Sequence, residues 1–336
     1  RYYETVSGGA LLYTNVVIGW IQAPHPRAYY DDASTENGVC GRSLIGDVFD
    51  VLAARSDYRT AILPRLQQAT YRATKKLLTT DYAIRALNVY FAGEESTTWG
   101  YGLWAHQYTL ASAQYDKLKV TIDGHSCHFA TYQITPVTSR PSILTFCHEN
   151  GHMVCDFPDL YHYNDRPGNG VGLWDLMCGR TGTYDTHPQY LSAYLRAARG
   201  WVTPKPLPTD AWVTVTDALD DVYYAANPAN AKEYYLIENR QARGFDQEVR
   251  ASGLAIYRCN EDGDNMYPEP LSGAAQAIFA DYGAATNRLS YEVSLEQADG
   301  RYSLESEATN GDAGDAWRAD NPSPTYGGAF NATSIP

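Results

Sequence analysis

Two stretches in the first third of the chain, ALLYTNVVIGWI (Ala10 to Ile21) and RALNVYF (Arg85 to Phe91), concentrate β-branched and aromatic residues and predict strands. Between them the apolar positions take helical spacing, over Gly46 to Ala54 and again over Leu63 to Leu78, through Leu63, Leu66, Ala69, Ala73 and Leu77. A further, buried helix is predicted over Leu144 to Cys155, with Ile143, Cys147, Gly151 and Val154 on its apolar side and Pro158 marking its end. Gly and Pro crowd Arg166 to Gly172, a predicted loop, and Pro188 to Arg199 reads as a helix capped by Gly200. From Thr203 the texture changes to short alternating segments: Trp212 to Thr216, Glu233 to Arg240, Gly253 to Arg258 and Ser290 to Gln297. These predict a β-rich lobe over 206–336, packed on an α+β domain spanning 1–205.

Composition narrows the partners. The 336 residues suit about two domains at ~150 residues each. With 26 basic against 39 acidic residues the formal charge is -13, which disfavours nucleic acid as a partner. No apolar run approaches the ~18 to 20 residues a bilayer requires, so no integral membrane segment is expected. The six cysteines form no CxxC pair, which excludes a zinc ribbon or thioredoxin motif. The chain starts at Arg1 without an initiator Met or signal peptide, as a processed or trimmed fragment would. The 28 tyrosines and the Asn331-Ala332-Thr333 sequon fit an extracellular protein.

The chemistry concentrates in TFCHENGHMVCDFPDLYHY, residues 145–163. On a helix, His148 and His152 share a face and can direct imidazole nitrogens at one ion, with Glu149 beside it. Because the rest of this helix is apolar, both histidines and the glutamate are expected in the interior, where burying them without a metal would be costly. A catalytic zinc takes a third protein ligand and leaves one position for water. No glutamate occurs between Glu149 and Glu233, which removes the arrangement that borrows one from a later helix. Asp156 continues the row, but three residues along ~12 Å of straight helix cannot all reach one ion. Asp159 follows Pro158 directly and can swing back under the metal through a tight turn; His162 and Asp165 are the next candidates. Downstream, Gly172 to Gly179 (GLWDLMCG) is a hydrophobic turn centred on Met177, one of three methionines, and is similar to a metzincin Met-turn.

In these segments the chain closely resembles the immune inhibitor A family of secreted bacterial metallopeptidases. The resemblance runs through RALNVYFAG, LWAHQYTL, HENGHMVCDFPDLY, GLWDLMCG, PQYLSAYLRAARGW, YYLIENRQARGFD and QADGRYSLESEATNGDAGDAW, in that order. It implies a zincin fold of the metzincin kind, with an upper lobe to about residue 157 and a lower lobe over about 158–205. It also implies extracellular endopeptidase activity on protein or peptide substrates, synthesis as a pro-enzyme blocked by its own propeptide, and structural calcium. His148 and His152 match the family's zinc ligands, Glu149 its general base and Met177 its Met-turn methionine. Asp159 matches the aspartate of the family's Pro-Asp pair, one place later than the usual spacing.

The expected mechanism is attack on the scissile carbonyl by a zinc-bound water that Glu149 deprotonates, with the proton returned to the departing nitrogen. The alternative is a non-catalytic extracellular structural or adhesive module that retains the zincin fold. Two acidic, glycine-containing loops are candidate calcium sites: Glu261 to Asn265, more simply a solvated turn, and Asn310 to Asp315, with Asp312 and Asp315 as ligands. Tyr161 and Tyr184 lie near the metal in sequence and could stabilise an oxyanion, but among 28 tyrosines that proximity carries little weight. His106, His125 and His128 read as structural. Cys155 and Cys178 flank the two turns expected to meet beneath the metal, and a disulfide between them is a working hypothesis.

Overall fold

The computed structural model describes residues 1–67, 83–122, 124–138, 142–163, 168–178, 187–228, 230–270, 289–306 and 309–323. The protein is mixed α/β, with three sheets and few helices among these residues. It divides into two compact units, and the chain enters one of them twice: residues 13–156 form one unit, residues 1–12 and 157–336 the other. No helix among the described residues is long and apolar enough to cross a membrane.

In the unit 13–156, strands β1 (Ala83–Ile84) and β2 (Leu87–Ala92) run parallel to β5 (His125–Phe129) and β6 (Thr131–Val137). On the other side of β5 and β6, β4 (Lys119–Ile122) and β3 (His106–Thr109) pair antiparallel. Ala130 separates β5 from β6, yet its N–H donates to Ile84 and its carbonyl accepts from Leu110, so hydrogen bonding carries across the break. Helix α2 (Asn37–Ala54) packs Ile45, Phe49 and Leu52 into a core with Val120, Ile122, Phe129 and Ile134. Its glycines permit close packing: a Cβ on Gly41 would lie 2.6 Å from the Tyr132 hydroxyl and 3.0 Å from the His106 ring. The unit's last helix, α3 (Ile143–Cys155), is capped by Ser142, whose hydroxyl accepts from the Thr145 N–H, and ends at Asp156 in the left-handed region (φ 51°).

The second unit is built on a five-stranded sheet in the order β11-β10-β9-β8-β7: Val293–Leu295, Gly253–Asn260, Glu233–Arg240, Tyr223–Ala226 and Lys205–Pro206. Along β9, side chains alternate between faces. Tyr235 and Ile237 join Ile256 in an apolar cluster, whereas Glu238 and Arg240 are buried on the opposite face. There Arg240 donates to Asp246, Glu238, the Tyr257 hydroxyl and the Trp174 carbonyl, while Arg196, on helix α4 (Ala193–Ala198), donates to Glu238. The short helix α1 (Tyr2–Val6) also belongs here: the Tyr2 hydroxyl donates to the Gln189 carbonyl at 2.5 Å, and its ring meets Phe245 edge-on.

Several expected elements differ. Ala10 to Ile21 is not a strand; Ile18 and Ile21 turn onto the core, but Leu12, Val17 and Trp20 stay exposed. Trp212 to Thr216 likewise forms no strand, and the sheet takes Lys205–Pro206 and Tyr223–Ala226 instead. The helix expected from Pro188 starts only at Ala193, because Ser192 caps it through the Leu195 N–H. Of Leu63 to Leu78, residues 63–67 are helical and 68–78 lie outside the described residues.

Candidate metal centre

Helix α3 buries Cys147 and Gly151 of its expected apolar side, while Ile143 is exposed and Val154 half-buried, and it carries polar groups inward: His148, Glu149 and Asn150 are all buried. Four residues apart, His148 and His152 bring their Nε2 atoms to 3.1 Å with the rings nearly perpendicular, at 87°. Two nitrogens on one tetrahedral ion, each about 2.0 Å from it, stand about 3.3 Å apart. The pair therefore suits a shared divalent metal, and Glu149 lies on the same helix directly after His148.

Asn150, fully buried beside Glu149, fastens the helix to its own unit. It accepts from the Tyr13 hydroxyl at 2.7 Å and donates to the Phe146 carbonyl at 2.8 Å. Tyr13 in turn accepts from Asn88 on β2, and Asn88 accepts from Gln133 on β6, so one chain of hydrogen bonds joins helix, strands and the Tyr13 segment. Burial pushes the Tyr13 hydroxyl up to about 12, which keeps it a neutral donor in this chain. At the helix end Asp156 pairs with Arg85 at 3.3 Å, both largely exposed.

Asp159 and Met177 belong to the other unit. Asp159 is buried and its carboxylate accepts from the Tyr163 hydroxyl. The next residue, Leu160, donates its N–H to the Met177 carbonyl, so the Pro158-Asp159 turn and the GLWDLMCG turn do meet. Within the latter, buried Asp175 accepts from the Met177 and Ser192 N–H groups, and burial raises its carboxyl above the usual range. The alternative ligand His162 is engaged elsewhere, its Nε2 2.5 Å from the Tyr291 hydroxyl and its ring stacked on that tyrosine. Asp165, Tyr184 and Asn331 lie outside the described residues. Tyr161 packs beside Tyr163, with ring centroids 5.6 Å apart.

The Cys155–Cys178 disulfide is not formed. All six cysteines are thiols, and that of Cys178 is directed at the Asn169 carbonyl. His106 is buried between the Trp104 carbonyl and the Tyr132 hydroxyl, and His128 packs on Tyr115 at 4.1 Å, both structural settings.

A second group of potential ligands forms around Asp312 and Asp315, and the structure adds Asp299 to it. One carboxylate oxygen from each of the three lies within 4.8 Å of the others. The loop folds on itself: Asp315 accepts from the Asp312 N–H at 2.7 Å, and Asp312 from the Gly314 N–H at 2.6 Å. Burial, with the neighbouring Asp312 and Asp299 charges, pushes the Asp315 carboxyl up to about 7. Asp299 escaped sequence reasoning because it stands 13 residues before Asp312; its one local signal is the Asp-Gly turn with Gly300.

None of the curated proteins matches the chain. Residues 1–201 match the family model of the immune inhibitor A peptidase M6 catalytic domain. Covering more than half of the sequence, this match establishes that the chain is a peptidase belonging to the immune inhibitor A family of metallopeptidases.

Proposed function

We propose that the protein is a secreted zinc endopeptidase of metzincin-like build that cleaves protein or peptide substrates and is held inactive by its own propeptide before activation. The observation that carries this is the 3.1 Å approach of the His148 and His152 Nε2 atoms on a buried helix that also bears Glu149. Asp159 completes the ligand set. It lies three residues beyond Asp156, so covalent reach alone keeps its Cα within about 11 Å of the helix end. Its carboxylate is already oriented by a hydrogen bond, as metal-ligating carboxylates usually are. Met177, in the turn bonded to Leu160, supplies the hydrophobic floor.

Zinc would supply Lewis acidity toward the scissile carbonyl and make water acidic enough to attack at neutral pH. Glu149 takes the proton of the attacking water and delivers it to the departing nitrogen. His148 and His152, fixed on one helix face, hold their nitrogens convergent without reorganisation. The Tyr13–Asn150 bond keeps that face from rotating, so Glu149 stays in place for both proton transfers. Asp299, Asp312 and Asp315 form a structural calcium site, hard oxygen donors being what that ion prefers.

The decisive variant is Glu149→Gln. It is expected to keep its fold and a stoichiometric zinc ion while casein cleavage is lost; full residual cleavage would sink the mechanism.

A further inference from the structure

The acidic loop Glu261 to Asn265 has a different task from the one its composition suggests. Asp264 is occupied by backbone, accepting from the Met266 and Tyr267 N–H groups at 2.8 and 3.1 Å. The turn so formed aims Asn265 inward, where it is 1% exposed. Its amide donates to the Leu160 carbonyl at 3.2 Å and to the Val293 carbonyl at 2.9 Å, and accepts from the Val293 N–H at 2.9 Å. Leu160 is thereby held at both ends of its peptide plane pair, with its N–H on Met177 and its carbonyl on Asn265. Gly170 closes the pocket from a third side: a Cβ there would lie 2.7 Å from the Leu160 carbonyl and 2.8 Å from the Asn265 amide.

Three residues further on, the grip is repeated. The Tyr163 N–H donates to the Met266 carbonyl at 3.0 Å, its ring meets Tyr267 edge-on at 5.6 Å, and its hydroxyl donates to the Asp159 carboxylate. Asp159 stands directly before the first of these fixed points and is tied to the second through its own carboxylate. Of the partners, Asn265, Met266, Tyr267 and Val293 lie beyond the 1–201 covered by the family match.

We infer that Tyr163 and Asn265 are positioning residues for Asp159, through which the loop and strands after residue 201 set the affinity and geometry of the metal site. This rests on Asp159 being a ligand. A carboxylate ligand that is free to rotate must be ordered when the ion binds, whereas one held by a tyrosine hydroxyl on a fastened turn is ordered beforehand. Outer partners of this kind are worth about 10–100-fold in metal affinity.

The test is zinc affinity, measured on the full chain by competition with a chromophoric chelator, together with the visible spectrum of the cobalt-substituted protein. Tyr163→Phe removes one hydroxyl and leaves the ring packing on Tyr161 and Tyr267. It is expected to weaken zinc by about 10–100-fold and to shift the cobalt bands, with an unchanged melting midpoint in the metal-free protein. Asn265→Ala is expected to weaken zinc likewise but also to lower the melting midpoint, because it strands the Leu160 and Val293 backbone groups; should it fail to fold, Tyr163→Phe decides alone. Asp159→Ala is the reference. If Asp159→Ala weakens zinc while Tyr163→Phe stays within twofold of the parent, the positioning role is overturned and the ligand stands. If Asp159→Ala itself leaves zinc affinity unchanged, the ligand assignment falls and this inference with it.

Discussion

The Leu160 N–H donates to the Met177 carbonyl at 2.8 Å, making the turn that bears Asp159 and the turn that bears Met177 a single hydrogen-bonded piece. Met177 is fully buried in it. Met177→Leu, close in volume, is expected to cost less than about 1.5 kcal/mol. Met177→Ala opens a cavity and costs about 2–5 kcal/mol. Because the same piece carries Asp159, zinc affinity should fall with Met177→Ala and hold with Met177→Leu. Denaturant unfolding and zinc titration of the two variants check this; equal zinc affinity in both would separate the turns functionally.

Arg240 and Arg243 stand three residues apart and should behave oppositely. Arg240 is buried among Asp246, Glu238, Tyr257 and the Trp174 carbonyl, whereas Arg243 pairs with Asp217 at the surface. Arg240→Ala strands buried carboxylates and is expected to cost about 3–5 kcal/mol. Arg243→Ala should stay within about 1 kcal/mol. Urea unfolding of both variants reads the difference, and a small loss at Arg240 would mean that the network relaxes rather than holds.

His106 gives the unit 13–156 an acid sensitivity. Burial pushes its imidazole down to about 4, with the Trp104 carbonyl opposing and Arg42 reinforcing the shift. Between pH ~6.5 and ~4 the unfolded chain carries a proton at this position that the folded one refuses. Stability from the neutral, buried ring is therefore full above that window. It declines as pH falls through it, by up to about 3 kcal/mol, and levels off below. Melting curves from pH 7 to 4 should show a shallower decline in His106→Gln than in the parent. Parallel curves would place the acid sensitivity elsewhere.

For the Asp299, Asp312 and Asp315 group, calcium at a hundred times its dissociation constant would add about 2.7 kcal/mol. Mild calcium chelation is expected to lower the melting midpoint of the parent and leave Asp315→Asn unmoved. An unchanged parent midpoint would count against a calcium site.

What was legible in the sequence was what is local. The helix bearing His148 and His152 follows from a spacing of four and an apolar background, and it begins and ends within a residue of expectation. Strands β9 and β10 announce themselves by alternation. Helix α2 was seen only in its second half, since Asn37 to Ser43 packs through Gly38 and Gly41 against Tyr108, Tyr132 and His106, a fit invisible to apolar periodicity. Ala10 to Ile21 has strand composition but no ladder among the described residues, and composition alone cannot supply a partner. Asn265 and Asp299 do their work through residues 105 and 13–16 positions away, and such pairings exist only once the chain has folded.

Helix α1 imposes an order on synthesis. The Gln189 carbonyl and the Phe245 ring that receive Tyr2 are made some two hundred residues after it. At about 5–20 residues per second this delay is on the order of ten to fifty seconds. Before it ends the unit 13–156 has been made in full, while Tyr2, Tyr3 and Val6 wait, uncovered, for a partner still to be synthesised.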